Sequence, residues 1–352
     1  MSRNSQLVDS HGRIIRDLRV SVTDRCNFRC MYCLPETEEA ANFYLNRFQP
    51  AADSIKINRE WQPQSRMLTF EEIARFVRIG RDLGIQKIRL TGGEPLLRKD
   101  FEKLVGMLAK IDGIHDIAMT TNGFLFKQKG KALRDAGLSR VSFSLDSLDR
   151  ENFAKITGRD ALSNVCESID LAITLGFSPL KINAVIIKGV NDHEVVELVR
   201  FARSKGASMR FIEFMPLDSN RAWQKELVMK GNEILEVVKR HFELTPKIPV
   251  NASETAKRWG FPDGKGELGI IAPVSEPFCG HCNRLRLTAD GQLRTCLFSL
   301  NEHDLRGVLR AGSSDEEVAL YAQSVVLQKE AGHRIGQKDF AQPLRTMSCI
   351  GG

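Results

Sequence analysis

Six short apolar, β-branched runs, each followed by a polar loop and then a helical pattern, constrain this chain more than any other feature. They fall at Leu18–Val22, Lys87–Leu90, Asp116–Thr120, Arg140–Leu145, Leu180–Ile187 and Met209–Phe214. Repeated alternation of this kind predicts an α/β fold with a parallel sheet under covering helices. With right-handed crossovers the sheet can curl into a full or partial barrel. The intervening helices carry their own signals. Thr69 with Glu72 makes a capping box opening a helix that ends near Gly84. Phe101, Leu104, Val105 and Leu108 form one apolar face behind a candidate cap at Asp100, and Val195, Val196 and Val199 another between Asp192 and Gly206.

Placed on that scaffold, the unusual residues gather at the carboxyl ends of the strands, where barrel enzymes keep their chemistry. Cys26, Cys30 and Cys33 follow the first strand, and Gly92-Gly93-Glu94-Pro95 the second. Thr120-Thr121-Asn122-Gly123 ends the third strand and Ser144-Leu145-Asp146 the fourth; Lys181 and Asn183 lie within the fifth, and Met215-Pro216 ends the sixth. Any one of these alone reads as a turn. Together at one rim they predict a site.

The cysteines define its chemistry. Spacings of three and then two residues put three thiolates around one point of a short loop. Structural zinc takes four protein ligands, so three cysteines suit an iron–sulfur cluster with one iron left open. A second group, Cys279, Cys282 and Cys296, spans the start of a predicted hairpin, Arg284–Thr288 and Gln292–Leu297, joined by Asp290-Gly291. In isolation this group favours zinc, with His281 or His303 as fourth ligand. Three cysteines without an obvious fourth again fit a cluster with an open iron. Of the remaining cysteines, Cys166 falls at helical spacing with Leu162, Ile169 and Ile173 and reads as a core residue, and Cys349 has no evident partner.

Composition narrows the class. The 352 residues are 42% hydrophobic and 27% charged, as in an ordinary soluble protein. No apolar run approaches the ~18 residues of a membrane span, and Met1–Asp17 lacks the apolar core of a signal peptide; an intracellular, cytoplasmic protein is expected. Eight cysteines in that setting argue for metal or redox chemistry over disulfides. The net charge of +7 suits a phosphorylated small molecule. With 7% aromatics and no long basic run, a nucleic-acid platform has little material. Arg19, Arg89, Lys181 and Arg210 lie in four separate strands, where an ordinary sheet core excludes cations, so they are candidates to converge on one polyanion. Residues 36–66 form a polar, irregular insert with Trp61, Pro50 and Pro63. After about residue 217 the alternation stops, predicting a division into a barrel at 1–217 and a smaller region at 218–352, with a helix near Gly231–His241 and a Gly/Pro-rich stretch at Gly260–Gly269.

The triad Cys-x-x-x-Cys-x-x-Cys, with Tyr32 before its last cysteine and Gly-Gly-Glu-Pro after the second strand, resembles the radical S-adenosylmethionine superfamily. That resemblance implies a partial (β/α)6 barrel. It also implies a 4Fe-4S cluster whose open iron binds S-adenosylmethionine and splits it to a 5′-deoxyadenosyl radical. The run Phe-Cys-Gly-His-Cys-Asn-Arg-Leu-Arg-Leu-Thr, then Cys-Leu-Phe and a Gly351-Gly352 end, is similar to the GTP 3′,8-cyclase family of molybdenum cofactor biosynthesis. The similarity extends through Asp-Leu-Arg-Val-Ser-Val-Thr-Asp-Arg-Cys, Ser-Leu-Asp-Ser-Leu-Asp and Arg-Phe-Ile-Glu-Phe-Met. It implies a C-terminal cluster-bearing extension containing a β-hairpin, and a second 4Fe-4S cluster on Cys279, Cys282 and Cys296 that holds the guanine of GTP. It also implies Tyr32, Gly93, Ser144 and Met215 as contacts to S-adenosylmethionine. Arg19, Arg89, Thr120, Lys181, Arg284, Leu285 and Arg286 would contact GTP, with Arg210 a further triphosphate candidate. Gly351 and Gly352 would enter the active site for cyclisation. The implied partners are GTP, a small electron-donor protein and cyclic pyranopterin monophosphate synthase as the next enzyme, in a homodimer away from nucleic acid and membrane. The insert is longer than the family leads one to expect. Two other readings compete: a peptide-modifying radical enzyme with an auxiliary cluster, and a non-enzymatic zinc or nucleic-acid-binding protein.

Overall fold

The computed structural model describes residues 6–35, 37, 40, 61–218 and 223–351; residues 36, 38, 39 and 41–60 of the expected insert lie outside the described residues. The six expected strands are present as β1 (Asp17–Ser21), β2 (Lys87–Thr91), β3 (Asp116–Thr121), β4 (Arg140–Ser144), β5 (Lys181–Ile186) and β6 (Ser208–Glu213). Beyond them come β7 (Thr245–Lys247), β8 (Lys257–Gly260), β9 (Glu267–Ile271), β10 (Arg284–Leu287), β11 (Gln292–Arg294) and β12 (His303–Asp304). Among the described residues all twelve join one mixed sheet in the order β12-β11-β10-β1-β2-β3-β4-β5-β6-β9-β8-β7, open at both edges and not closed into a barrel. From β10 through β1–β6 to β9, every neighbouring pair is parallel.

The expected hairpin forms. β10 and β11 pair antiparallel with Leu287 opposite Leu293, turning at Gly291, whose φ of +81° suits glycine. The Gly/Pro-rich stretch holds more structure than its composition predicts. Its short Leu268-Gly-Ile-Ile run forms β9 against β6, and β8 folds back onto it. Flanking turn residues dilute the strand signal there.

Strand alternation sorts the side chains. On β1, Leu18 and Val20 are fully buried among the helices while Arg19 faces the other way; β2 repeats this with Ile88 and Leu90 around Arg89. Helices Phe70–Asp82, Phe101–Ala109 and Phe126–Asp135 cover the apolar face with Phe76, Phe101 and Phe126, all 0% exposed. Each such side chain contributes roughly 1.5–3 kcal/mol by burial. The capping box is present: Glu72 N donates to Thr69 Oγ1 at 3.1 Å, and Thr69 N to Glu72 Oε2 at 2.7 Å.

Two expectations fail. Asp100 stands at the helix start in the left-handed region (φ 56°) without a side-chain cap. Its carboxylate accepts instead from Lys103 Nζ at 3.1 Å. Cys166 is only half-buried, because helix Leu162–Thr174 buries Val165, Ser168, Ile169 and Ala172 and leaves Ile173 40% exposed. The buried stripe lies beside the predicted one. No helix among the described residues is long and apolar enough to cross a membrane.

Candidate active site: two cysteine triads across a cationic cavity

The polar face of the sheet lines a cavity of about 1020 Å³ that touches all six grouped cysteines. The first triad sits on the loop after β1, braced from both sides. Gly93 N donates to Thr23 O and Glu94 N to Arg25 O, both at 2.8 Å, docking the Gly-Gly-Glu-Pro loop against the cysteine loop. A Cβ on Gly93 would lie 2.2 Å from Arg25 O, so the glycine is required by protein backbone rather than by a ligand alone. From the other side, Arg29 N donates to Thr157 O at 2.7 Å and Met31 N to Ile156 O at 2.9 Å.

Donors point at the sulfurs: Phe28 N lies 3.4 Å and Asn122 Nδ2 3.8 Å from Cys26 Sγ. Burial, then Glu94, pushes the Cys26 thiol up to about 11. Burial, Cys26 and Cys349 push Cys33 up to about 12. Cys30 is raised well above its ordinary value by burial and by Cys26, Asp146 and Cys33. Thiols this close, with acids behind them, hold negative charge only around a strongly positive centre, which an iron–sulfur cluster provides. The site fits that group.

The second triad sits on the turn Cys279–His281, on Cys282 and just past β11. Its surroundings are cationic. Burial opposes the Cys282 thiolate, but Arg284, Lys329 and Arg286 outweigh it and bring the thiol down to about 7. Lys329 Nζ is buried and donates to the carbonyls of Arg284, at 3.0 Å, and Thr295. Phe298 N lies 3.4 Å from Cys296 Sγ. Of the two candidate fourth ligands for zinc, His281 is exposed and His303 lies on β12, and neither lines the cavity. Three ligands spread over a multi-iron cluster suit this set better.

Between the triads lies the cationic floor. Strand register puts Arg286, Arg19 and Arg89 directly side by side across β10, β1 and β2. Lys181 on β5 and Arg210 on β6 face the same cavity. Burial, then Arg210, Arg140 and Arg89, pushes the Lys181 ammonium down to about 7. Burial and Arg89 bring Arg210 down to about 10, and burial with Arg286 holds Arg19 well below its usual value. The buried Nε atoms of Arg19, Arg210 and Arg284 have no hydrogen-bond partner among the described residues. Like charges placed opposite one another in a sheet are destabilising, and unpaired buried donors add to that cost. A polyanion would relieve both.

Thr120 joins the floor by accepting from Arg89 at 3.3 Å. Leu285 does not: its side chain is 0% exposed in the core, because alternation on β10 turns it away from Arg284 and Arg286. Tyr32, Gly93, Ser144 and Met215 all line the cavity. Tyr32 donates to Asp146 Oδ2 at 2.6 Å, and Val185 N to Asp146 Oδ1 at 2.8 Å. The tail reaches the same space. Gly351 is buried with φ +71°, its carbonyl accepts from Arg286, and a Cβ there would lie 2.7 Å from Thr91 Cγ2. Gly352 lies outside the described residues.

Several contributors have roles that the sequence did not reveal, Glu94 of the Gly-Gly-Glu-Pro loop among them. Buried Glu94 accepts from Thr121 Oγ1 and Asn122 N, each at 2.8 Å, tying the ends of β2 and β3 together. Arg140 on β4 pairs with Asp116 through two hydrogen bonds and shares the cavity. As an in-strand cation it carried the same signal as Lys181. Lys329 carried none, since its partners lie far away in sequence.

Comparison with known proteins gives this arrangement a family. Residues 20–202 match the Radical SAM superfamily and residues 207–335 match Molybdenum Cofactor Synthesis C. The chain is 45% identical over 350 residues to a GTP 3′,8-cyclase of Rhodopirellula baltica, covering 98% of this chain and 92% of that protein. It is 43% identical over 360 residues to one of Corynebacterium glutamicum, covering 99% and 90%. Among solved structures, Streptococcus suis SuiB bound to S-adenosylmethionine superposes with a TM-score of 0.62 at 14% identity, covering 96% of this chain and 78% of that one, which shows a shared fold. With both cysteine triads lining one cavity and relatives above 40% identity over nearly its whole length, the chain belongs to the GTP 3′,8-cyclase family of radical S-adenosylmethionine enzymes.

Proposed function

We propose that this chain converts GTP to (8S)-3′,8-cyclo-7,8-dihydroguanosine 5′-triphosphate, the first step of molybdenum cofactor biosynthesis. The observation that carries this reading is the in-register row Arg286–Arg19–Arg89, joined by Lys181 and Arg210. So many converging cations match a triphosphate, whose oxygens accept the charge-assisted bonds that arginine forks offer. Cys26, Cys30 and Cys33 would hold one 4Fe-4S cluster and Cys279, Cys282 and Cys296 another. When bound, the first cluster and S-adenosylmethionine would supply radical chemistry directed at the ribose 3′ position of GTP.

The protein's residues orient and exclude. Tyr32, Gly93, Ser144 and Met215 would seat S-adenosylmethionine beside the first triad. Arg19, Arg89, Thr120, Lys181 and Arg210 would fix the triphosphate, and Arg284 and Arg286 the nucleotide beside the second triad. Gly351 and Gly352 would enter the space where the ring closes, narrow enough that a side chain at Gly351 would strike Thr91. Residues 1–217 would thus generate the radical and hold the triphosphate, while 218–352 would hold the nucleotide beside the second triad. A small electron-donor protein, the cyclic pyranopterin monophosphate synthase that takes the product, a homodimeric assembly and a cytoplasmic location complete the reading.

The test is anaerobic incubation of the cluster-reconstituted protein with GTP, S-adenosylmethionine and a reductant. Both 5′-deoxyadenosine and the cyclised nucleotide are expected. Release of 5′-deoxyadenosine with GTP left intact overturns the reading in favour of a peptide substrate.

A further inference from the structure

The tail that delivers Gly351 is fastened six residues upstream. Arg345 grips Asp290 with both ends of its fork, Nη1 to Oδ1 and Nη2 to Oδ2, each at 2.8 Å, and its Nε lies 2.8 Å from Glu302 Oε1. Asp290 is the turn residue of the β10–β11 hairpin, and its side chain is only 8% exposed. It also accepts from Thr288 Oγ1 at 2.6 Å. Burial pushes its carboxyl up, but Arg345 and Thr288 together hold it below the usual carboxylate range. Glu302 in turn pairs with the fully buried Arg294 of β11.

The anchor therefore belongs to the hairpin that carries Arg284 and Arg286 and leads into Cys296. From Arg345 the chain makes one short helical turn, Met347–Ile350, and Gly351 then meets Arg286. Bidentate pairing fixes orientation as well as distance. Ile350, packed with Leu217 and Phe298, adds apolar contact, which is non-directional. The fork thus adds a second directional anchor, six residues before the Gly351 carbonyl that Arg286 holds.

We propose that the Arg345–Asp290–Glu302 ion cluster is a latch that seats the C-terminal tail in the cavity, making Arg345 a positioning residue for ring closure. This rests on the cyclase reading above. The test uses the full chain, with clusters reconstituted without oxygen, as wild type and as Arg345→Ala, Asp290→Asn and Arg345→Lys. Two quantities are measured: hydrogen exchange of the tail amides from 347 to 351, and cyclised nucleotide formed per 5′-deoxyadenosine.

Expected for Arg345→Ala and Asp290→Asn are exchange about tenfold faster and a product ratio about tenfold lower, as loss of a partly buried ion pair frees a local segment. Arg345→Lys keeps charge without the fork and should fall between them and wild type. Iron content and melting temperature identify a variant that fails to fold, in which case the other two decide. Unchanged exchange in all three overturns the latch, leaving the tail held by Ile350 and by the Arg286 bond to the Gly351 carbonyl. Faster exchange with an unchanged ratio overturns the role in ring closure. If wild type forms no cyclised nucleotide, the cyclase reading fails, while the exchange measurement still decides the latch.

Discussion

The two cysteine triads are alike in number and differ in the charges around them. Around Cys26, Cys30 and Cys33 burial is the main force, with Glu94 and Asp146 adding to it: Cys26 is pushed up to about 11, Cys33 to about 12, and Cys30 well above its ordinary value. In the second triad burial also pushes Cys296 up, but Arg284, Lys329 and Arg286 bring Cys282 down to about 7. The difference would suit two tasks under the proposed function. An acidic pocket favours a positively charged sulfonium ligand, and a basic one favours an anionic nucleotide. One cavity thus carries a polarity from end to end.

The strongest way to break this contrast is to remove one triad at a time. Cys30→Ala should lower iron from about eight to about four per chain, with four irons per cluster, and abolish 5′-deoxyadenosine formation. Cys296→Ala should lower iron equally yet leave S-adenosylmethionine cleavage measurable while cyclised nucleotide disappears. Identical product profiles from the two variants would refute the division of labour.

Next in size is the arginine row. Arg89→Met should weaken GTP binding about tenfold or more by calorimetry, since bonds to charged groups contribute about 1.5–3 kcal/mol each. The melting temperature without nucleotide should hold or rise, because a like-charge neighbour of Arg19 is gone. A fall in stability with intact GTP affinity would return Arg89 to an ordinary structural role.

A pH effect of up to about tenfold per unit follows from Lys181. Its ammonium titrates at about 7 in the free protein because burial and the neighbouring cations favour the neutral form. A bound triphosphate favours the charged form and raises that value, so binding takes up a proton. GTP affinity is therefore greatest below about pH 7 and falls as pH rises through it. Lys181→Met should flatten this component; an unchanged slope would show that Lys181 does not face the phosphates.

The smallest effect is expected at Tyr32. Tyr32→Phe removes the 2.6 Å bond to Asp146, but Val185 N still serves the carboxylate. A loss of about 1 kcal/mol in stability, read by thermal melting, and a few-fold weaker S-adenosylmethionine affinity are expected. A Tyr32→Phe protein with wild-type melting and affinity would leave the bond without consequence.

Much of this was legible in the sequence because it is written locally. Six strands, the Thr69–Glu72 box and the Asp290-Gly291 hairpin each depend on residues within a few positions of one another, and all were found where expected. The converging cations were legible too, since a charged residue inside an apolar strand has to face a polar space. What escaped depends on distant partners. Nothing near Arg345 announces Asp290, and nothing near Lys329 announces the Arg284 and Thr295 carbonyls. β9 escaped because its pairing with β6 is decided across more than fifty residues of sequence. Leu285 was assigned by resemblance of its motif, and strand alternation, itself readable in Arg-Leu-Arg-Leu, places its side chain in the core.

The position of β10 beside β1 has a consequence for how the molecule is made. Arg19 pairs with Leu90's neighbour Arg89 on one side and with Arg286 on the other, so one flank of β1 waits for a strand synthesised some 270 residues later by the counts that separate Asp17 from Arg284. Until that strand leaves the ribosome, the segment leading into the first triad presents a bare edge, a template for unwanted pairing. The sheet is completed from its beginning only when its end arrives. A chain cut short before residue 284 would keep all three cysteines of the first triad and lose the flank that steadies them.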